Sequence, residues 1–300
     1  MAKVAFMNDK KETSADPLAA IAPGLFVLLW STGFIGSKMG APYAEPFTFL
    51  LARFLIVTSL MALTAFLMRA SWPKSPVMIG RIALAGLLVH GVYLGGVFAA
   101  IRLGLGAGIT ALVTGLQPLL TAVLAGPILG ERVKPKQWAG LILGLLGVIL
   151  VVADKVHPGT AEFAGLPWAF GAVIGITLGT LYQKRHCAGM DLRTGAVIQY
   201  AAAGVAMAIM AFSLETREII WSGEFIFALA WLCLVLSVGA ITLLYRLIRA
   251  GAAAKVASFF YLVPPTTSLI AYFLFGETLS LLALVGMAVV AAGVALANKA

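Results

Sequence analysis

Acidic side chains are scarce in this 300-residue sequence, twelve in all, and none falls deep inside a hydrophobic run. That excludes a buried carboxylate proton relay and a carboxylate sodium site, since both need an Asp or Glu within the apolar segments. Cysteine is scarcer still: Cys187 and Cys233 are too few for a disulfide framework, and no Cys or His spacing suits zinc or haem. Neither an HExxH helix nor a GxSxG elbow occurs, so hydrolytic chemistry of those kinds is excluded. The chain is expected to be no enzyme and to need no metal and no cofactor. Charged residues amount to 11%, against about 25% in ordinary soluble domains.

What fills the sequence instead is apolar: 61% hydrophobic, where soluble domains have about 45–50%. Runs of about 20 apolar residues, enough to cross a ~30 Å hydrocarbon core, recur along the chain. Ten helices are expected, near 18–38, 46–68, 78–101, 107–129, 135–153, 164–184, 193–214, 225–245, 252–275 and 280–298. Residues 1–16 read as a polar cytoplasmic arm without the cleavage site of a signal peptide. The connections are short and leave no room for a soluble domain.

The net charge of +9 is an orientation signal. With the N-terminus inside, sixteen Lys and Arg fall on the cytoplasmic side and four, Lys38, Arg102, Lys155 and Arg217, on the other. Both termini are then cytoplasmic. The basic loops face anionic lipid headgroups, and nucleic acid is not an expected partner.

Residues 252–296 repeat the plan of 106–150 without a gap. A shift of 146 (277 − 131) pairs Leu116 with Leu262, Pro118 with Pro264, Thr121 with Thr267, Gly130 with Gly276 and Glu131 with Glu277. It also pairs Gly33 with Gly179 and Lys38 with Lys184. Ten spans in two units give five each, and an odd number makes the second unit enter from the opposite side. The expected fold class is an all-α membrane protein of ten transmembrane helices in a 5+5 inverted repeat, with units at 17–155 and 156–300. Inverted repeats place a small-molecule site near the midplane, where the halves rock between two access states. A secondary transporter follows, and one ten-helix chain encloses such a cavity as a monomer.

The paired ends PILGE (127–131) and LFGE (274–277), the opening WSTGFIGSK (30–38) and the LARF segment (51–54) resemble the drug/metabolite transporter superfamily of EamA type. Within it the chain is similar to the bacterial exporters of aromatic amino acids. The resemblance implies export of amino acids or similar metabolites across the inner (plasma) membrane of a bacterium. It also implies that helices three, four, eight and nine gate the cavity while five and ten support it.

Several residues stand out on their own chemistry. Gly130 and Gly276 read as left-handed helix caps, with Glu131 and Glu277 facing the positive end of the next helix. Pro118, Pro264 and Pro265 lie inside spans four and nine, as static bends or as gating hinges. Glycines at four-residue spacing, Gly91 and Gly95, Gly140 and Gly144, and Gly171, Gly175 and Gly179, permit close helix contact. Arg53, seven residues into span two, has two readings: an interfacial or structural cation, or an attractor for a substrate carboxylate. His90 is either a hydrogen-bonded interior histidine or a proton carrier.

Trp30, Phe34 and Lys38 share a helix face leading to the outer mouth. Tyr93 and Tyr261 are cavity candidates, whereas Tyr182 and Tyr245 read either as interfacial anchors or as cavity residues. Ser37, Thr114, Gln117 and Gln199 are the polar groups available to a zwitterion. A lipophilic cation or another metabolite remains the alternative substrate, although a buried cation calls for a carboxylate that is missing. Facilitated diffusion or exchange is the first expectation for energy coupling, and His90-linked proton coupling the second.

Overall fold

The computed structural model describes residues 17–105, 110, 113–153, 162–275 and 279–299. Among these residues the regular structure is helical, apart from an isolated bridge between Ala44 and Ile219. The helices are α1 (Pro17–Gly40), α2 (Pro46–Leu67), α3 (Pro76–Arg102), α4 (Gln117–Leu129), α5 (Pro135–Val152), α6 (Leu166–His186) and α7 (Leu192–Leu214). Then come α8 (Gly223–Ala250), α9 (Ala253–Ser258, continued by Val263–Phe275) and α10 (Leu281–Asn298). Seven of them, α1–α3 and α7–α10, are long and apolar enough to cross a membrane. Helices α4 and α5 are shorter, and α6 ends in the basic turn Lys184, Arg185 and His186. The arm 1–16, the junction at 155/156, and Gly276 and Glu277 lie outside the described residues.

Helix starts follow from the sequence. Pro46, Pro76, Pro135 and Pro167 sit in first turns, where a missing N–H costs no hydrogen bond. Asp191, Ser222 and Ser280 cap α7, α8 and α10 by accepting from backbone N–H groups. Gly130 ends α4 in the left-handed region at φ 71°.

The expected continuous helix over 107–129 is broken. A turn at Gly115–Leu116 precedes α4, which puts Pro118 in a first turn rather than inside a span. Pro264 and Pro265 likewise follow a 3₁₀ turn at Phe259–Leu262 and open the second half of α9. Within a helix each proline would delete a backbone hydrogen bond and clash with the preceding turn; stopping and restarting the helix avoids both. The bends expected at these prolines are therefore helix breaks, at positions related by the 146-residue shift.

Two π-helical segments, Leu87–Val92 in α3 and Leu232–Ala240 in α8, also overlap under that shift. Such segments are rare and concentrate at functional sites.

Helices α5 and α10 pack backbone to backbone. A Cβ on Gly140 would stand 2.6 Å from the Gly293 carbonyl oxygen, and one on Gly147 2.9 Å from that of Gly286. The contacts are reciprocal under the shift (286 − 140 = 293 − 147 = 146), so the two helices run antiparallel about a local two-fold. Gly175 and Gly179 give α6 the same close approach to Val92 and Val89 of α3. Gly171 has nothing within 4 Å, so it does not serve helix contact as its spacing predicts.

Candidate substrate cavity

Rings from α1 and α3 build the cavity. Trp30, Phe34 and Ser37 of α1 face Tyr93, Val97 and Phe98 of α3 around a narrow cavity of about 40 Å³. Trp30 stacks on Tyr93, centroids 6.2 Å apart, and meets Phe260 edge-on at 5.1 Å. Arg53 of α2 closes the wall, only 3% exposed. Its Nε donates to Ser237 Oγ at 3.0 Å; among the described residues the Nη groups have no partner. Burial speaks against Arg53 as an exposed interfacial cation and leaves its two other readings, a structural cation held by Ser237 or an attractor for a carboxylate. A buried cation without a counter-charge is costly, so this wall favours an anionic group in the cavity.

The space continues past Trp30. A second cavity shares Trp30, Phe34 and Tyr93 and adds Thr114, Gln117 and Pro264 at the two helix breaks. A third shares Gln117 and Phe260 and reaches Thr121, Thr180 and Ala253. The breaks thus lie along the row of cavities. A larger groove of about 370 Å³ between α2, α3, α6 and α7 is lined by apolar residues, including Phe47, Trp168 and Met207. It holds nothing that would orient a polar ligand.

Other candidates are placed elsewhere. Lys38 is exposed and lines none of these cavities. Tyr261 is fully buried against Gly144 of α5, in the cluster that joins α5 to α10, and so stands outside the cavities. Tyr182 is half-buried against His186. Tyr245 is buried, which corrects its reading as an interfacial anchor; its hydroxyl donates to Gln199 Oε1 at 2.8 Å. Gln199 donates in turn to Gln183 Oε1 at 2.7 Å. His90 stacks on Tyr200 at 4.1 Å, with Nε2 3.4 Å from the Tyr245 hydroxyl.

Glu131 departs from expectation in its partner helix. It accepts from Ala253 N at the start of α9 (2.8 Å) and pairs with Lys184 of α6 (2.7 Å), whereas α5, the next helix in sequence, begins only at Pro135. Lys184 also donates to the Gly251 carbonyl. One carboxylate thereby ties the end of α4 to α6 and α9 beside the third cavity.

The 146-residue shift maps Arg53 on Gln199 and Ser37 on Gln183. In the second half these equivalents are hydrogen-bonded to each other; in the first half the corresponding pair flanks open space. Phe54 and Tyr200 are themselves equivalent (200 − 54 = 146), and their rings touch at 5.6 Å. The local two-fold between the halves passes between those rings.

The EamA-like transporter family model matches this chain twice, over residues 18–153 and 163–299. The chain belongs to the EamA-like transporter family. It is a multi-pass membrane transporter rather than an enzyme, and its two halves are two copies of the EamA unit. The uncharacterized transporter YvbV of Bacillus subtilis is 26% identical over 286 residues, covering 93% of this chain and 91% of that protein. The uncharacterized inner membrane transporter YedA of Escherichia coli is 28% identical over 271 residues, covering 88% and 85%. A probable amino-acid metabolite efflux pump of the same species is 27% identical over 161 residues, about half of each chain (54% and 52%). A solved crystal structure superposes with a TM-score of 0.79 at 19% identity, covering 94% of this chain and 96% of that one. That likeness extends the fold over nearly the whole chain.

Sequence reasoning missed Ser237, Tyr200 and Gln183 in this EamA pair. Ser237 receives Arg53 on Oγ and Tyr200 on its carbonyl at 3.0 Å, from within a π segment. No local pattern signals that segment, but the shift would have found Gln183 and Tyr200 as the equivalents of Ser37 and Phe54.

Proposed function

We propose that this transporter exports amino acids with aromatic and other apolar side chains from the cytoplasm. The fold is read as ten spans in a 5+5 inverted repeat, acting as a monomer in the bacterial plasma membrane with both termini cytoplasmic. The reciprocal, antiparallel packing of α5 on α10 supports the inversion. Access alternates as the cavity beside Arg53 closes and the paired Gln183–Gln199 region opens. The observation that carries the substrate reading is a buried guanidinium set among Trp30, Phe34 and Tyr93. The substrate carboxylate pairs with Arg53 and its side chain packs on the rings. A lipophilic cation would meet Arg53 with no carboxylate in the wall to offset the repulsion.

Counterflow in proteoliposomes tests this. Vesicles loaded with phenylalanine, tryptophan or methionine should accumulate labelled phenylalanine, lysine should drive little, and Arg53→Gln should lower the rate at least about tenfold. Flux driven by a lipophilic cation and by none of the amino acids would replace this reading.

A further inference from the structure

Among the described residues the cavity has a positive charge for a carboxylate but no negative charge for an ammonium. Of the twelve acids in the sequence, those described are Glu45, Glu131, Glu162, Asp191, Glu215, Glu218 and Glu224, and all lie at helix ends, in a short 3₁₀ turn or in loops. Residues 106–109, 111 and 112, outside the described ones, contain no acid in their sequence. Of the neutral groups, Ser37 Oγ already donates to Gly33 O and Thr114 Oγ1 to Thr110 O. Gln199 is held by Gln183 and Tyr245. Gln117, buried beside the second cavity, offers a neutral carbonyl, which accepts equally from an ammonium, a hydroxyl or an amide N–H.

We infer that the site selects net monoanions with an apolar or aromatic tail: N-acylated amino acids and 2-hydroxy acids are preferred over the zwitterionic amino acids. The inference rests on the carboxylate–Arg53 pairing proposed above. A zwitterion neutralises Arg53 but brings its own ammonium into the same low-dielectric space, leaving the loaded site at net +1. A monoanion leaves it neutral. Desolvating an uncompensated charge is the larger cost, so the monoanion gains affinity although it offers no more contacts. The aromatic walls Trp30 and Tyr93 set tail size in either case.

The full chain in proteoliposomes at about pH 7.5, where N-acetylphenylalanine and phenyllactate are ionised, gives the test. Labelled phenylalanine counterflow is competed with unlabelled phenylalanine, N-acetylphenylalanine, phenyllactate and phenethylamine. The two monoanions should half-inhibit at roughly tenfold lower concentration than phenylalanine, and phenethylamine should be the weakest. Direct binding to detergent-solubilised protein, read by tryptophan fluorescence, should give the same order; Arg53→Gln should erase it and Arg53→Lys should retain it. Phenylalanine competing as well as or better than N-acetylphenylalanine overturns the inference and leaves amino acid export standing. Binding and flux of N-acetylphenylalanine without phenylalanine flux would overturn the amino acid reading and support the inference. Phenethylamine as the strongest ligand would overturn both.

Discussion

The Gly140 α-carbon faces the Gly293 carbonyl so closely that a methyl group there would come within 2.6 Å of the oxygen. Both partners are backbone, which cannot swing aside as a side chain can. Gly140→Val and Gly293→Val should each cost about 2 kcal/mol or more through overpacking, read as a lower midpoint in thermal unfolding of the detergent-solubilised protein. Gly80→Ala on α3, where an added methyl group meets nothing within 4 Å, should be neutral or raise stability by up to about 1 kcal/mol. Equal losses at all three positions would show that the contact is not what matters.

Glu131 is the joint between α4, α6 and α9. Glu131→Gln keeps the acceptor for Ala253 N and removes the ion pair with Lys184. The pair is half-buried, and taking about 1 kcal/mol for it, the opening equilibrium should shift roughly two- to fivefold. A cysteine at Thr180, lining the third cavity, should then react faster with a water-soluble maleimide in a background lacking Cys187 and Cys233. An unchanged labelling rate would mean that the pair does not hold this end closed.

Asp191 sets a measurable pH dependence at the α6–α7 turn. The Arg193 side chain first, with the α7 backbone N–H groups, lowers its carboxyl from 3.8 to about 2. The folded value lies below the unfolded one, so its stabilisation is complete above about pH 4 and lost as pH falls towards 2. Asp191→Ala should cost about 1 kcal/mol at neutral pH through the lost cap. Asp191→Asn should keep most of the cap and flatten the stability profile between about pH 4 and about pH 2; an unchanged profile would refute the assignment.

His90 is sealed between Tyr200 and Tyr245 and lines none of the described cavities. Counterflow should therefore be flat from about pH 6 to about pH 8, and proton coupling through this histidine is not expected. A sigmoid profile that disappears in His90→Gln would reverse that conclusion. Tyr245→Phe should cost about 1–2 kcal/mol, because it strips a buried donor from Gln199.

Much of this molecule was legible from spacing alone. Prolines at helix starts, the Gly130 cap and the glycine stripes of α5 and α10 are local devices with local signatures. Trp30 and Phe34 were legible as one face because a helix brings residues four apart together, but the face was extended to Lys38, whereas the cavity takes Ser37. Arg53 was only half legible: sequence gave its depth, but burial depends on α8, whose π segment presents Ser237. Tyr261 and Tyr245 were misplaced for the same reason. Both lie near the middle or end of apolar spans, and what surrounds a tyrosine there is decided by which helix packs across it. The partner of Glu131 depended on a helix 122 residues away.

The touching pair Phe54 and Tyr200 carries a historical consequence. In an assembly of two identical chains, a residue on the two-fold axis meets its own copy, so every change there is made twice. Joining the copies in one polypeptide removes that restriction. Here one ring carries a hydroxyl and the other does not, and the hydroxyl binds the Ser237 carbonyl. Position 53/199 has diverged in the same way, to a cation on one side and an amide on the other. Two-sided machinery with one-sided chemistry needs two non-identical copies, and a fused pair supplies them within one chain.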